Sequence, residues 1–367
     1  MNTVKIIHTS DLHLDSRLSN FSLDKSKIRR QELKTSFENA MERCGKADIV
    51  LMCGDIFDNS NYLKGTVRFL VQIFNKYEDT IFFICGGNHD WYSSPAIQAL
   101  IEELPDNVVV FSDKAEYMEL DDIKVRVYGM SFSDKYQYTS MMDEFHVIED
   151  DYINILMLHG DVVASSGESK YNPVLPGSLE VSGFDYVALG HTHEFSGIKK
   201  VGRTTYAYCG THEGHGFDEC GPKGVICGTV GKNYCNLNFV NTCMREYVDC
   251  SVDVSDALTV EDIISGVKNA VTNSNNIYKI TLVGVLNDSI IMDTDVILSC
   301  VDAFTVKIVD STRRNYNLDE LAQRQNLKGF VAKTVLAELA DCSDDDVDIV
   351  CSGSDYLFEL IDNGGGR

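Results

Sequence analysis

The sequence predicts an α/β protein: two packed sheets flanked by helices, then a small α+β module and a C-terminal helical region. Three observations predict it. Five apolar, largely β-branched runs, at residues 4–7, 49–53, 81–85, 153–158 and 186–189, have the length and composition of buried strands. Helical patterns alternate with them as far as Leu158, which implies right-handed crossovers and a largely parallel sheet. After Gly190 the texture changes to short apolar segments parted by glycines, at 204–209, 225–230 and 236–240. These read as antiparallel strands and complete a two-sheet layer architecture.

In chain order, residues 25–46 are polar with Ile28, Leu33, Phe37, Ala40 and Met41 close to helical spacing. Residues 63–77 carry Leu63, Val67, Leu70, Phe74 and Tyr77, an amphipathic stripe that suits a helix packed on a sheet or a subunit interface. Residues 95–104 begin with Pro95, suited to a first helical turn. Composition shifts near Asn241. Strand patterns at 246–253, 277–286 and 304–309 enclose helical patterns at 259–272 and 293–303. Residues 317–340 are helical with a break expected near Gly329, and the acidic run 341–348 reads as a solvated segment. The expected domains are 1–241, 242–311 and 312–367.

A chain of 367 residues with 44% hydrophobic residues and five prolines suits a globular protein with a real core. No apolar run reaches the length of a membrane span, and no signal-type segment follows Met1, so a cytoplasmic location is expected. None of the twelve cysteines forms a Cys-x-x-Cys pair, and Cys53, Cys85 and Cys300 sit in apolar runs. Reduced thiols acting as small hydrophobes are expected, not disulfides or structural zinc. The net charge of −24 weighs against a freestanding nucleic-acid binder, although metal ions or a partner can supply positive charge. There is no Gly-x-x-x-x-Gly-Lys-Ser/Thr loop to suggest ATP binding.

The chemistry lies directly after the five runs. There stand Asp11-Leu12-His13, Gly54-Asp55-Ile56-Phe57-Asp58, Gly87-Asn88-His89-Asp90, His159-Gly160 and Gly190-His191-Thr192-His193. Polar clusters at the C-terminal ends of strands in an open α/β sheet face its ligand crevice. A lone His159 would mean little; the ordered set points to one site. Asp11, His13, Asp55, Asn88, His159, His191 and His193 offer carboxylate, imidazole and amide oxygen without thiolate. That suits Mn²⁺, Fe²⁺ or Zn²⁺ better than Ca²⁺. Seven ligands are too many for one octahedral ion open to substrate, and they suit two ions sharing a carboxylate. Two such ions, roughly 3.5–4 Å apart, can activate water and clamp a phosphoryl oxygen. Asp11/His13 and His191/His193, each two residues apart, can share one side of an extended segment. His89, beside Asn88, can stabilise transition-state charge or protonate a leaving oxygen.

The ordered motifs Asp-x-His, Gly-Asp-x-x-Asp, Gly-Asn-His-Asp, His-Gly and Gly-His-x-His resemble those of the calcineurin-like metallophosphoesterase superfamily, over roughly residues 1–240. The resemblance assigns Asp11, His13, Asp55 and His193 to one metal. It assigns Asp55 as bridge, with Asn88, His159 and His191, to the other, and His89 as catalytic histidine. Residues 7–16, 185–191 and 213–219 further resemble SbcD-type DNA repair exonucleases, especially a YhaO-like bacterial branch, with weaker likeness at 245–254 and 315–330. This implies Mn²⁺-dependent phosphodiester cleavage, a homodimer built from nuclease-domain helices and a cap contacting DNA. It also implies an SbcC-like coiled-coil ATPase partner, with 312–367 as its docking region. His8, Asp58, Asp90 and His215 are candidates for supporting the ligands or touching substrate.

The sequence departs from that pattern where His212 and His215 stand in place of expected proline and arginine; for His215 a neutral surface histidine is the simpler reading, and replacement of a phosphate contact the alternative. The segment 241–309 carries only Arg245, Lys268, Lys279 and Lys307 as basic residues, poor provision for unaided DNA binding. Two alternatives stay open. One is a phosphomonoesterase or cyclic-nucleotide phosphodiesterase acting on a small substrate. The other is a non-catalytic scaffold for the ATPase.

Overall fold

Alternation of side chains along each central strand sets the layers. In the computed structural model, which describes residues 2–59, 62–287, 290–343 and 346–364, the chain divides into two units, residues 1–246 and 247–367. The first unit begins β1 (Thr3–Thr9), α1 (Leu23–Cys44), β2 (Ile49–Cys53), α2 (Lys64–Lys76), β3 (Ile81–Cys85), α3 (Pro95–Ile101) and β4 (Val108–Val110). It continues with β5 (Glu116–Leu120), β6 (Val125–Gly129), β7 (Ile153–His159), α4 (Pro176–Val181), β8 (Tyr186–Gly190), β9 (Lys199–Val201) and β10 (Thr204–Tyr208). It closes with β11 (Gly224–Gly231) and β12 (Tyr234–Asn241).

Two six-stranded sheets result, ordered β12-β11-β1-β2-β3-β4 and β5-β6-β7-β8-β10-β9. Val4, Ile6, Ile49, Leu51 and Phe83 of the first sheet pack with Val125, Val127, Ile155, Met157 and Tyr186 of the second in one core layer. The alternate residues Ile7, Val50, Met52 and Phe82 pack with Leu33, Phe37, Val67, Leu70 and Phe74 from α1 and α2. On the second sheet, Leu156, Leu158, Val187 and Leu189 share an outer core with Phe132, Met142 and Leu179. Both faces of the central strands are thus covered, which is why they read as continuous apolar runs. His8 links the sheets inside the core: its Nδ1 accepts from Tyr186 Oη at 2.8 Å and its Nε2 donates to the Leu189 carbonyl at 3.1 Å. Burial holds its pKa down to about 4, so it is a neutral strut.

Several readings need correction. The segment 204–209 was expected to pair antiparallel, but β10 runs parallel to β8 and antiparallel only to β9; β11 and β12 are antiparallel as read. Strands β4, β5, β6 and β9 had no separate sequence reading; β4 and β9 span only three residues each, too short for a periodic signal. Leu63 precedes α2 as its cap and is exposed, so only Val67, Leu70 and Phe74 of its stripe are fully buried. All twelve cysteines are free; Cys53 and Cys85 are buried, but Cys300 is exposed because it caps the end of a short helix.

The second unit holds β13 (Tyr247–Asp253), α5 (Val260–Ala270), β14 (Ile277–Val283), β15 (Val285–Asn287), α6 (Thr294–Ser299), β16 (Thr305–Asp310) and β17 (Arg313–Asn315). Its sheet β13-β14-β16 is entirely parallel, joined through α5 and α6. A capping box between Thr259 and Asp262 starts α5, which buries Ile263 and Val267. Then follow α7 (Leu318–Leu321), α8 (Leu327–Asp341) and α9 (Val347–Gly364). The helical break falls at 322–326, not at Gly329: Asn326 caps α8 through the Gly329 N–H, and Gly329 lies inside the first turn. Part of the acidic run belongs to α9; its residues 344–345 lie outside the described residues. The unit boundary also lies beyond Asn241. Arg245 belongs with the first unit, where its guanidinium meets Glu32 on α1 at 2.7 Å.

Candidate metal centre

β1, β2 and β3 run parallel in register, as do β7 and β8, so the polar loops that follow emerge along one edge of each sheet. The loops after β1 and β2 are zipped together. The N–H groups of Asp11, His13 and Leu14 donate to the carbonyls of Gly54, Asp55 and Ile56 at 3.0, 3.1 and 3.0 Å. Asp11, His13 and Asp55 adopt φ of 52°, 42° and 53°, and His191 adopts 102°. These four account for half of the eight non-glycine residues with positive φ among the described residues. Such backbone costs of order 1–3 kcal/mol per residue and persists only where the surroundings enforce it. The extended-segment expectation for Asp11/His13 and His191/His193 is therefore corrected: left-handed turns, not strand alternation, aim these side chains.

Two devices enforce the loops. Asp90 is buried and accepts the N–H groups of Asp55, Ile56, Phe57 and Gly87 at 3.1, 2.7, 3.1 and 2.8 Å. Burial and the Asp55 charge push its pKa up to about 7 against the Gly87 and Phe57 donors and the His159 charge. Asp90 braces the site and does not reach into it. At the end of β8, a Cβ on Gly190 would strike the Cys53 carbonyl, so only glycine lets these strand ends meet.

The predicted residues converge. One ligand atom each from Asp11, His13 and His193 lies within 4.8 Å of the others, and the same holds for Asp55, His159 and His191. Asn88 Oδ1 is 3.0 Å from both His159 Nε2 and His191 Nδ1. Asp55 stands between the groups, its Oδ2 4.0 Å from His13 Nε2 and 3.4 Å from His159 Nε2. His13, Asp58 and His89 form a third triplet sharing His13. His89 donates from Nδ1 to the Asp58 carbonyl at 2.6 Å, leaving only Nε2 to meet a substrate oxygen.

The donor set fits divalent cations on observations of this structure. Both ring nitrogens of His13 are buried without a hydrogen bond of proper geometry, the nearest carboxylate oxygens being Asp58 at 3.5 Å and Asp55 at 4.0 Å. His159 donates from Nδ1 to the Cys53 carbonyl at 2.9 Å, which fixes its tautomer and turns the Nε2 lone pair toward Asp55 and Asn88. Burial alone would lower the His13 pKa, but Asp58, Asp55 and Asp11 raise it to about 9. Against the same burial, Asp55 and Asp11 raise His159 to about 10. Burial favours the neutral form of Asp55, yet His159, His13 and His89 hold its pKa far below the usual carboxylate range. The carboxylates demand positive charge, which protons on His13 and His159 or divalent cations can each supply.

Sequence reasoning missed two carboxylates. Glu219 Oε1 is 2.5 Å from His193 Nδ1, and its Oε2 accepts the His215 N–H at 2.7 Å and faces His215 Nδ1 at 3.1 Å. Asp161 Oδ1 lies 3.4 Å from His191 Nε2. Their signals were adjacency to motifs, Asp161 two residues after His159 and Glu219 at the end of the 213–219 stretch. Neither spacing alone implies contact. The surface reading of His215 is also corrected, and the place of His212 is defined. His212 is fully buried with Nε2 donating to the Leu33 carbonyl at 2.7 Å, and His215 packs its ring 5.5 Å from that of His13.

Among the described residues, no helix is long and apolar enough to cross a membrane. The chain is 26% identical over 269 residues to the uncharacterized metallophosphoesterase YhaO of Bacillus subtilis, covering 70% of this chain and 65% of that protein. It is 27% identical over 218 residues to the DNA double-strand break repair protein Mre11 of Methanocaldococcus jannaschii, covering 56% of each. The chain thus matches less than two thirds of the length of these relatives. The model of the calcineurin-like phosphoesterase family matches residues 4–195, from β1 through the loop bearing His191 and His193, and the chain belongs to that family of metal-dependent hydrolases.

Proposed function

We propose that this protein is a dinuclear-metal phosphodiesterase acting on nucleic acid, a DNA repair exonuclease or endonuclease subunit. The observation that carries the dinuclear reading is the Asp55 carboxylate standing between the Asp11–His13–His193 and His159–His191 groups. In this reading Asp11, His13, Asp55 and His193 hold one cation, and Asp55, Asn88, His159 and His191 hold the other. Mn²⁺ is the proposed metal, suited to a mixed oxygen and nitrogen donor set, with Fe²⁺ or Zn²⁺ as alternatives. When bound, the cations supply Lewis-acid charge that neutralises the phosphate. His89, held by the Asp58 carbonyl, presents Nε2 to the phosphoryl or leaving oxygen. Glu219 and the Cys53 carbonyl fix the tautomers of His193 and His159.

Likeness to a DNA break repair protein over more than half of the chain supports nucleic acid as substrate. The acidic charge of −24 supports a helper, and an SbcC-like ATPase delivering DNA is the proposed partner. A homodimer through first-unit helices, DNA contact by residues 242–311 and ATPase docking by 312–367 belong to the same proposal.

The test is Mn²⁺-dependent cleavage of end-labelled linear duplex and single-stranded DNA beside bis-p-nitrophenyl phosphate, with His89→Ala as control. DNA degradation lost in the variant supports the reading. Hydrolysis of the small diester with DNA untouched, even when the ATPase is added, overturns it in favour of a small substrate.

A further inference from the structure

We propose that Tyr138, Tyr136 and Tyr171 form a stacking platform for unpaired nucleobases, leading a single-stranded nucleic-acid end into the metal centre. This rests on the nuclease reading above.

The rings form a continuous path. Tyr171 packs against the candidate ligand His191 with ring centroids 4.8 Å apart. Tyr136 lies 5.8 Å from Tyr171, and Tyr138 lies 6.0 Å from Tyr136, each pair tilted by 39°. Tyr138, at the outer end, is 67% exposed, so its ring is open to a ligand. Lys170 sits 4.5 Å over the Tyr136 ring and 5.6 Å over that of Tyr171, and Lys135 sits 5.7 Å over Tyr136. An open cleft of about 530 Å³ runs beside the path, lined by Tyr138, Lys170, Tyr171, Asp161 and the segment 166–169.

The path is built onto the ligand loops. Gln137 and Tyr171 form a β-bridge, with the Gln137 N–H donating to the Lys170 carbonyl at 2.9 Å and the Asn172 N–H to the Gln137 carbonyl at 2.6 Å. Asn172 is buried and donates from Nδ2 to the His159 carbonyl at 2.8 Å. The two tyrosine-bearing segments are therefore clamped to each other and to the end of β7. Ser169 Oγ donates to Asp161 Oδ2 at 2.5 Å, tying the cleft wall to the carboxylate beside His191.

Aromatic rings interleaved with lysines match the demands of single-strand binding, in which bases stack and the backbone meets cations. Stacking also answers the charge problem. A chain of net charge −24 gains little from phosphate attraction, and Asp161 and Glu168 line this cleft too, so contact through neutral base faces is the term left to it.

The test uses the full chain with Mn²⁺ on three substrates: a labelled single-stranded oligonucleotide, an oligomer of equal length made of tetrahydrofuran abasic residues, and bis-p-nitrophenyl phosphate. The expected KM is about tenfold lower for the natural oligonucleotide than for the abasic one. Tyr138→Ala is expected to raise KM for the natural oligonucleotide about tenfold with kcat little changed, and Tyr138→Phe to restore it. The exposure of Tyr138 makes loss of folding no explanation for such a result. Equal KM values for both oligomers, or a wild-type KM in Tyr138→Ala, would overturn the platform and leave the nuclease reading standing. Turnover of the small diester with both oligomers intact, even when the ATPase is added, would overturn the two together.

Discussion

Glu219 Oε1 lies 2.5 Å from His193 Nδ1, and His193 Nε2 faces Asp11 Oδ1 at 3.7 Å. A carboxylate behind an imidazole fixes which nitrogen carries the proton and raises the basicity of the other. Glu219 also grips His215, so one side chain orders the two histidines that flank His13.

Glu219→Ala should therefore weaken metal binding without removing a ligand. Apparent Mn²⁺ affinity is expected to fall roughly 10–100-fold, with turnover recovering at high metal concentration. Titration calorimetry of variant and wild type checks this; unchanged affinity would show that the Glu219–His193 contact does not serve a metal.

His89 and Asp55 should separate in their effects. His89→Ala is expected to keep two ions per chain while losing roughly 10²–10⁴-fold in turnover. Asp55→Ala should lose both metal and activity, since its carboxylate stands between the groups. Metal content by atomic emission, measured beside bis-p-nitrophenyl phosphate hydrolysis, distinguishes them. Two ions retained in Asp55→Ala would refute the shared-carboxylate assignment.

Acid should destabilise the fold through His212. Burial, against a hydrogen bond to the Leu33 carbonyl, lowers its pKa to about 3. The unfolded value is about 6.5, so between these limits the unfolded chain holds a proton that the folded chain refuses. Stability is fully present above about 6.5 and falls as pH drops through this window. Asp90 and His8 also titrate between pH 7.5 and 4.5. The His212 contribution is therefore read as the difference in urea-unfolding slope between the wild type and His212→Gln, whose amide can still donate to the carbonyl. The variant should lose less stability as pH falls. An identical slope in both proteins would assign the loss elsewhere.

Gly190→Ala tests how closely β8 and β2 meet. The added methyl strikes the Cys53 backbone carbonyl, which has no rotamer to yield. A loss of about 1–3 kcal/mol is expected, seen as a lower Tm, together with weaker metal binding because His191 and the Cys53–His159 contact shift with it. A wild-type Tm would mean the strand ends have room that the structure does not show.

Much of the first unit was legible because burial on both faces writes a central strand as an unbroken apolar run. Residues 4–7, 49–53, 81–85, 153–158 and 186–189 became β1, β2, β3, β7 and β8. Where that condition lapses, the reading lapsed. β5 has four exposed residues and one half-buried, and left no apolar run to find. The pairing of β10 was misjudged because direction in a sheet is set by the path of the chain between strands, here through β9, and not by the strand's own residues.

The sequence by itself determined the residue types and their order: Asp11 and His13, Asp55, Asn88 and His89, His159, His191 and His193, each just beyond a buried strand. Parallel strands carry such residues to one edge, so their convergence follows from local pattern plus one rule of topology. Only the tertiary structure decided how they are held. The left-handed turns at Asp11 and His13 are held by hydrogen bonds to the loop after β2, that at Asp55 by Asp90, and the one at His191 by the Asp11 carboxylate. Glu219 reaches His193 across 26 residues and Asn172 reaches the His159 carbonyl across 13. Sequence spacing fixes direction only within a turn or a strand, whereas contacts across closed loops depend on where the whole chain has packed.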